Sequence, residues 1–194
     1  MSSILTFHSS GTASQPLNFT LGITVAKEAL TARTDAKVRY AKLHLKELRE
    51  CNIPGQGHDF ERAHQEAFFA QLFGAYASLF QELNEDLGCG LKPESVSLGQ
   101  MRNAMKTKGA VDPKLTELYK LEQDEATWLS QAKIMRDHTT HIGAIPHVFY
   151  KGGDNDGRTS LKHPKKLTDV PGYYLDNFEK WVVEMEALIE RMRK

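Results

Sequence analysis

The sequence predicts an all-α fold, a bundle of about five helices with a small β-hairpin ahead of the last one. Three observations lead there. Apolar residues recur three and four apart over several long stretches. Glycine and proline signals punctuate those stretches where helices start and stop. The β-rich HVFY, the turn-forming GGDNDG and the alternating RTSLKH form a short segment between helical patterns, about residues 146 to 163.

Residues 1 to 24, rich in serine and threonine with Gly11 and Pro16, read as an extension in which SILTFH can form an edge strand beside the hairpin. The single domain is expected over 25 to 194. Its first helix spans about Val25 to Glu50, with Val38, Ala41, Leu45 and Leu48 on one face. Asn52, Pro54, Gly55 and Gly57 end it.

The second helix, about Asp59 to Leu87, carries Phe68, Leu72, Tyr76, Leu79, Leu83 and Leu87 as one stripe, which Phe69, Phe73 and Phe80 widen. A stripe that wide implies burial against more than one neighbour. Gly74 costs this helix about 1 kcal/mol relative to alanine, which fits a close helix crossing. Gly88 and Gly90 provide the stop.

A short third helix is expected over Ser97 to Lys108, with Leu98, Met101 and Met105 inward and Gly109 after it. Asp112-Pro113 then reads as an N-cap followed by proline at the first helical position. From there one long helix is expected to run to Gly143, with Leu118, Leu121, Trp128, Ala132, Met135, Thr139 and Ile142 on its buried face. The last helix, about Tyr173 to Arg193, places Tyr174, Phe178, Trp181, Met185, Leu188 and Met192 at helical spacing, an aromatic stripe read as core.

Composition excludes several function classes. Formal net charge is zero, so no global field draws the chain to nucleic acid or membrane, and any such contact rests on a local patch. No run approaches the roughly 18 apolar residues of a membrane helix, and no basic signal-peptide start is present. Cys51 and Cys89 are isolated, without metal-type spacing. A soluble, cytoplasmic protein is the expectation.

Chemistry concentrates in MRDHTTHIG, Met135 to Gly143. At about 100° per residue, Arg136 falls at the edge of the apolar stripe, roughly 60° from its centre, while Asp137 and His141 share the opposite side. Arg136 and His141 stand about 140° apart around an ideal helix and about 7.5 Å apart along it. One copy therefore closes poorly on a single phosphate. Two copies across a dimer axis would build a shared cleft.

These residue types suit metal-independent RNA cleavage. Histidine can take the proton of a ribose 2′-hydroxyl or protonate the leaving 5′-oxygen. Arginine can stabilise charge on the pentacovalent phosphorus. Asp137 can orient His141 or a substrate group, and His138 and Thr140 are candidate substrate contacts. The rival reading makes His138 and His141 metal ligands, with Asp137, Glu122 or Glu125 joining them, but no complete set gathers on one face. No metal and no cofactor are expected. The other six histidines and the basic clusters Lys162, Lys165, Lys166 and Arg191, Arg193, Lys194 read as surface, with the clusters also able to steer RNA.

Arg136-Asp137-His138-Thr139-Thr140-His141, near the end of a late helix, together with FFAQLFGAYASLFQELNEDLGCGL, resembles the HEPN superfamily, the higher eukaryotes and prokaryotes nucleotide-binding domains. The resemblance covers roughly Val25 to Arg193, although its specific part is short. It implies an HEPN-like helical bundle, usually a homodimer with the two motifs meeting at the interface. Many members are metal-independent endoribonucleases of toxin–antitoxin, abortive-infection, CRISPR-linked and RNA-processing systems, which implies an RNA substrate, a 2′,3′-cyclic phosphate product and an antitoxin or defence-system partner. Carried over, Arg136 and His141 become the catalytic pair and Asp137 the polar position after the arginine, where asparagine is frequent. Toxins paired with a nucleotidyltransferase often carry a modifiable tyrosine two residues after the histidine. Gly143 stands there, which points away from that version. Other members have lost catalysis and act as nucleotide-, RNA- or protein-binding dimerisation modules, the alternative for this chain.

Overall fold

The computed structural model describes residues 19–50, 58–141, 147–149, 159–162, 169–170 and 173–194. Six α-helices dominate: α1 (Phe19–Glu50), α2 (His58–Asp86), α3 (Leu98–Thr107), α4 (Pro113–Gln123), α5 (Trp128–His141) and α6 (Tyr174–Arg193). Between α5 and α6 lie three short strands, β1 (His147–Phe149), β2 (Thr159–Lys162) and β3 (Asp169–Val170). They form one antiparallel sheet in the order β1-β2-β3, with His147 opposite Leu161 and Leu161 opposite Val170. The expected N-terminal strand SILTFH lies outside the described residues, and the third strand is supplied by Asp169–Val170.

The helix α2 is the centre of the bundle. Its pairs with α1, Lys27–Asp86, Thr31–Glu82, Lys37–Gln71 and His44–His64, run in opposite senses along the two chains, so the helices are antiparallel. Its contacts with α6 run in the same sense, from Glu61–Tyr174 through Phe68–Phe178 to Glu82–Arg193. The wide apolar stripe explains this double use, because Phe68, Phe69, Leu72, Phe73, Tyr76, Leu79, Phe80 and Leu83 are all buried. Phe68 stacks on Phe178 at 4.6 Å between ring centroids, and Trp181 continues the stack. Removing each such side chain from water contributes roughly 1.5–3 kcal/mol.

The ends of the central elements are chemically defined. Asn84 closes the turn after α2 by bonding both the carbonyl and the amide of Leu91, and Gly88 takes φ 56° there, a conformation that a side chain disfavours. Ser97 caps α3 through the Gln100 amide, and Asp112 caps α4 through the Leu115 amide. Gly74 does sit at the α1 crossing. A Cβ there would meet the Lys37 stem at 3.2 Å.

Three expectations are corrected. The helix expected from Val25 begins at Phe19, inside the segment read as an extension. Propagation adds one hydrogen bond per residue fixed, so a long helix continues through Thr20, Gly22 and Ile23 although propensity disfavours them. The single long helix expected from Pro113 to Gly143 is two helices, giving six rather than about five among the described residues. Asp124 Oδ1 accepts the Ala126 amide, and Thr127 Oγ1 accepts the Ser130 amide as an N-cap. This local bonding outcompetes a continuous helix, and both residue types favour it.

The C-terminal basic cluster is the third correction. Arg193 donates to both carboxylate oxygens of Glu82, at 2.8 and 3.0 Å, to Asp35 Oδ1 at 2.9 Å and to the Thr31 carbonyl. Arg191 pairs with Glu117 at 2.7 Å. Arg193 thus ties α6 to α2 and α1 rather than standing free, while Arg191 and Lys194 are exposed as expected. Among the described residues, no helix is long and apolar enough to cross a membrane.

Candidate functional site

The motif helix α5 packs on α2, α4 and α6 and buries Leu129, Ser130, Ala132, Met135 and Thr139, so its remaining faces are graded outward from this seam. Arg136 lies at the rim, its side chain about one-third exposed, where the wheel of the sequence places it. Its guanidinium carbon sits 4.6 Å from the centroid of the Phe73 ring of α2. Such a cation–π contact contributes between about 0.5 and 2 kcal/mol depending on desolvation.

Asp137 holds the edge of that plane. Its Oδ1 accepts from Arg136 Nε at 2.9 Å and from Nη2 at 2.5 Å. The Asp137 side chain is about half exposed, so the pair is a rim feature that a charged ligand can reach.

The threonines serve the backbone. Thr139 Oγ1 donates to the Arg136 carbonyl at 2.7 Å, and Thr140 Oγ1 donates to the same oxygen at 2.9 Å. Both bonds lie within the last two turns of α5 and tie the hydroxyls to the helix's own backbone. Thr139 is buried and Thr140 exposed. His138 is half-buried, and its Nδ1 is enclosed without a hydrogen-bond partner among the described residues. His141 is the last residue of α5; its side chain lies outside the described residues.

A second cation–carboxylate pair stands one turn earlier. Lys133 Nζ lies 3.4 Å from Glu122 Oε2, while Tyr76 donates to Glu122 Oε1 at 3.1 Å. Burial, with the Glu122 charge and hydrogen bond adding to it, pushes the Tyr76 phenol far up, so it stays a donor. Phe73 meets Tyr76 edge-on, which makes the floor beneath Arg136 and the anchor of Glu122 one aromatic unit of α2.

Arg136 and Asp137 are thus joined directly, and Thr140 is joined to them through the backbone. Phe73, Tyr76 and Lys133 were not singled out from the sequence as parts of a site, and Glu122 entered only as an alternative metal ligand. Phe73 and Tyr76 read there as core because their spacing is that of the α2 stripe, and nothing local ties them to Arg136 and Glu122, far along the chain. Among the described residues, no group of three or more histidine, cysteine or acidic side chains is arranged to hold a metal ion. Comparison with protein-family models, curated proteins and solved structures finds no match for the chain.

Proposed function

We propose that the chain is a metal-independent endoribonuclease of HEPN type, working as a homodimer with the ends of two α5 helices sharing one cleft. The observation that carries this reading is the Arg136 guanidinium, set over the Phe73 ring and bonded by Asp137 at the rim of the core with part of its surface open, five residues before His141 on the same helix. A rigid, partly exposed guanidinium is suited to bind two phosphate oxygens at once and to stabilise charge that grows on them during attack. His141 would take the proton of the ribose 2′-hydroxyl, whose oxygen attacks phosphorus and expels the 5′-oxygen, leaving a 2′,3′-cyclic phosphate. Asp137 would act by positioning Arg136, and Thr140 by its bond to the Arg136 carbonyl in the last turn of α5. A defence, toxin or RNA-processing role, with an antitoxin or system partner, goes with the same family reading.

One observation favours a second reading, a non-catalytic module that binds nucleotide, RNA or protein. Asp137 neutralises Arg136 in the resting state, which lowers the attraction that a catalytic arginine offers to a phosphate. The two readings separate when purified protein is incubated with RNA in excess chelator beside His141→Ala and Arg136→Ala. Cleavage by the unaltered chain alone supports the nuclease; equal cleavage by all three, or none by any, removes it.

A further inference from the structure

The cations of α5 that face outward beside α2 form a short ladder. Lys133 precedes Arg136 by one turn, about 4.5 Å along the helix axis and about 60° around it, so the two head groups border the same strip of surface. Each is matched to one carboxylate in the resting state, Lys133 to Glu122 and Arg136 to Asp137. The Lys133 contact is the looser, at 3.4 Å, and its side chain is 40% exposed. The carboxylate is the better held partner. Glu122 is only 16% exposed and anchored by the Tyr76 hydroxyl, so Lys133 can swing away while Glu122 stays. A lysine on a four-carbon stem serves as a movable point charge for a phosphate, in contrast to the fixed fork of Arg136.

We infer that Lys133 is a second phosphate contact, so that a single strand of RNA runs along α5 with one phosphate on Arg136 and a neighbouring phosphate on Lys133. Glu122 and Asp137 occupy these cations as carboxylate stand-ins until the backbone displaces them. This rests on the ribonuclease reading and gives it a substrate class: a polynucleotide spanning at least two phosphates, in preference to a mononucleotide. Local neutrality at rest also accounts for a strand-binding surface on a chain with zero formal net charge.

The test is the salt dependence of binding to a fluorescein-labelled, single-stranded 2′-O-methyl oligoribonucleotide, which lacks the attacking hydroxyl, read by anisotropy. Each phosphate contact on a single strand contributes about 0.7 to the slope of log affinity against log salt. Lys133→Gln is expected to lower the slope by about 0.7, with affinity at 0.1 M salt about fivefold weaker. Glu122→Gln, which keeps a partner for Tyr76, is expected to tighten binding, and Lys46→Gln on α1, next to Glu50 and remote from α5, to change neither. Should the unaltered chain cut RNA while Lys133→Gln keeps its slope and affinity, the ladder is overturned and the nuclease reading stands. Should the unaltered chain neither bind nor cut, both fall.

Discussion

Replacing Arg193 by alanine removes the cation from a carboxylate that has almost no water around it. The Glu82 side chain is 3% exposed and that of Arg193 is 27% exposed, and the guanidinium bridges α6 to both α2 and α1 through Glu82, Asp35 and the Thr31 carbonyl. Breaking a buried pair from one side costs roughly 3–5 kcal/mol, because the remaining charge is left without compensation. The partial exposure of Arg193 places this variant at the lower end, about 3 kcal/mol. In a chain of 194 residues, where 1 kcal/mol moves the melting temperature by about 2–4 °C, that is a drop of about 6–12 °C. Urea unfolding followed by circular dichroism measures the free energy directly. The double change Arg193→Met with Glu82→Met is expected to recover most of the loss, since apolar residues of similar volume can replace a buried pair at little cost. A loss below about 1 kcal/mol in Arg193→Ala, the size seen for exposed pairs, would refute the buried-lock reasoning.

Two further outcomes follow from the structure. Thr127→Ala removes the N-cap that starts α5 and is expected to cost about 1 kcal/mol by the same unfolding assay, while Thr127→Ser is expected to cost less. The second concerns pH. Burial, followed by the neighbouring His64, whose Nδ1 lies 3.2 Å away, lowers the pKa of His44, with Glu47 opposing; the Phe60 ring lies tilted against His64 at 4.3 Å. The unfolded chain then binds the His44 proton more readily than the folded one, so the stability from this group is complete above the ordinary histidine value of about 6.5 and is lost as pH falls below it. The melting temperature is expected to drop from about pH 7.5 to about pH 5.5, with a shallower drop in His44→Gln. Identical profiles for the two proteins would contradict that assignment.

How far the sequence reads into the fold depends on whether the signal is periodic or local. The apolar stripes of α1, α2 and α6 named their buried residues closely, Val38, Phe68, Phe178 and Trp181 among them, because 3.6-residue periodicity records burial directly. The break between α4 and α5 was missed because the apolar spacing carries through it, while the signal that makes it, Asp124 and Thr127 bonding to nearby amides, is carried by two polar residues with several possible uses. Buried Glu82 was invisible for another reason. Its place on the α2 stripe is set by Arg193, more than a hundred residues away, and no local pattern encodes that pairing.

The same division holds at the site. The position of Arg136 on the rim of α5 and the outward turn of Asp137 were legible from the helical wheel alone. The Phe73 platform, the Tyr76 anchor and the Lys133–Glu122 pair were not, because each joins α5 to another helix and tertiary packing decides it.

The reaction product offers the sharpest test of the nuclease proposal. RNA treated with the unaltered chain in excess chelator is expected to yield fragments ending in 2′,3′-cyclic phosphate by mass spectrometry, and a matched strand with 2′-deoxyribose at every position is expected to stay whole. Fragments ending in 3′-hydroxyl, or cleavage of the deoxy strand, would contradict attack by the ribose 2′-oxygen, and with it the roles proposed for Arg136 and His141.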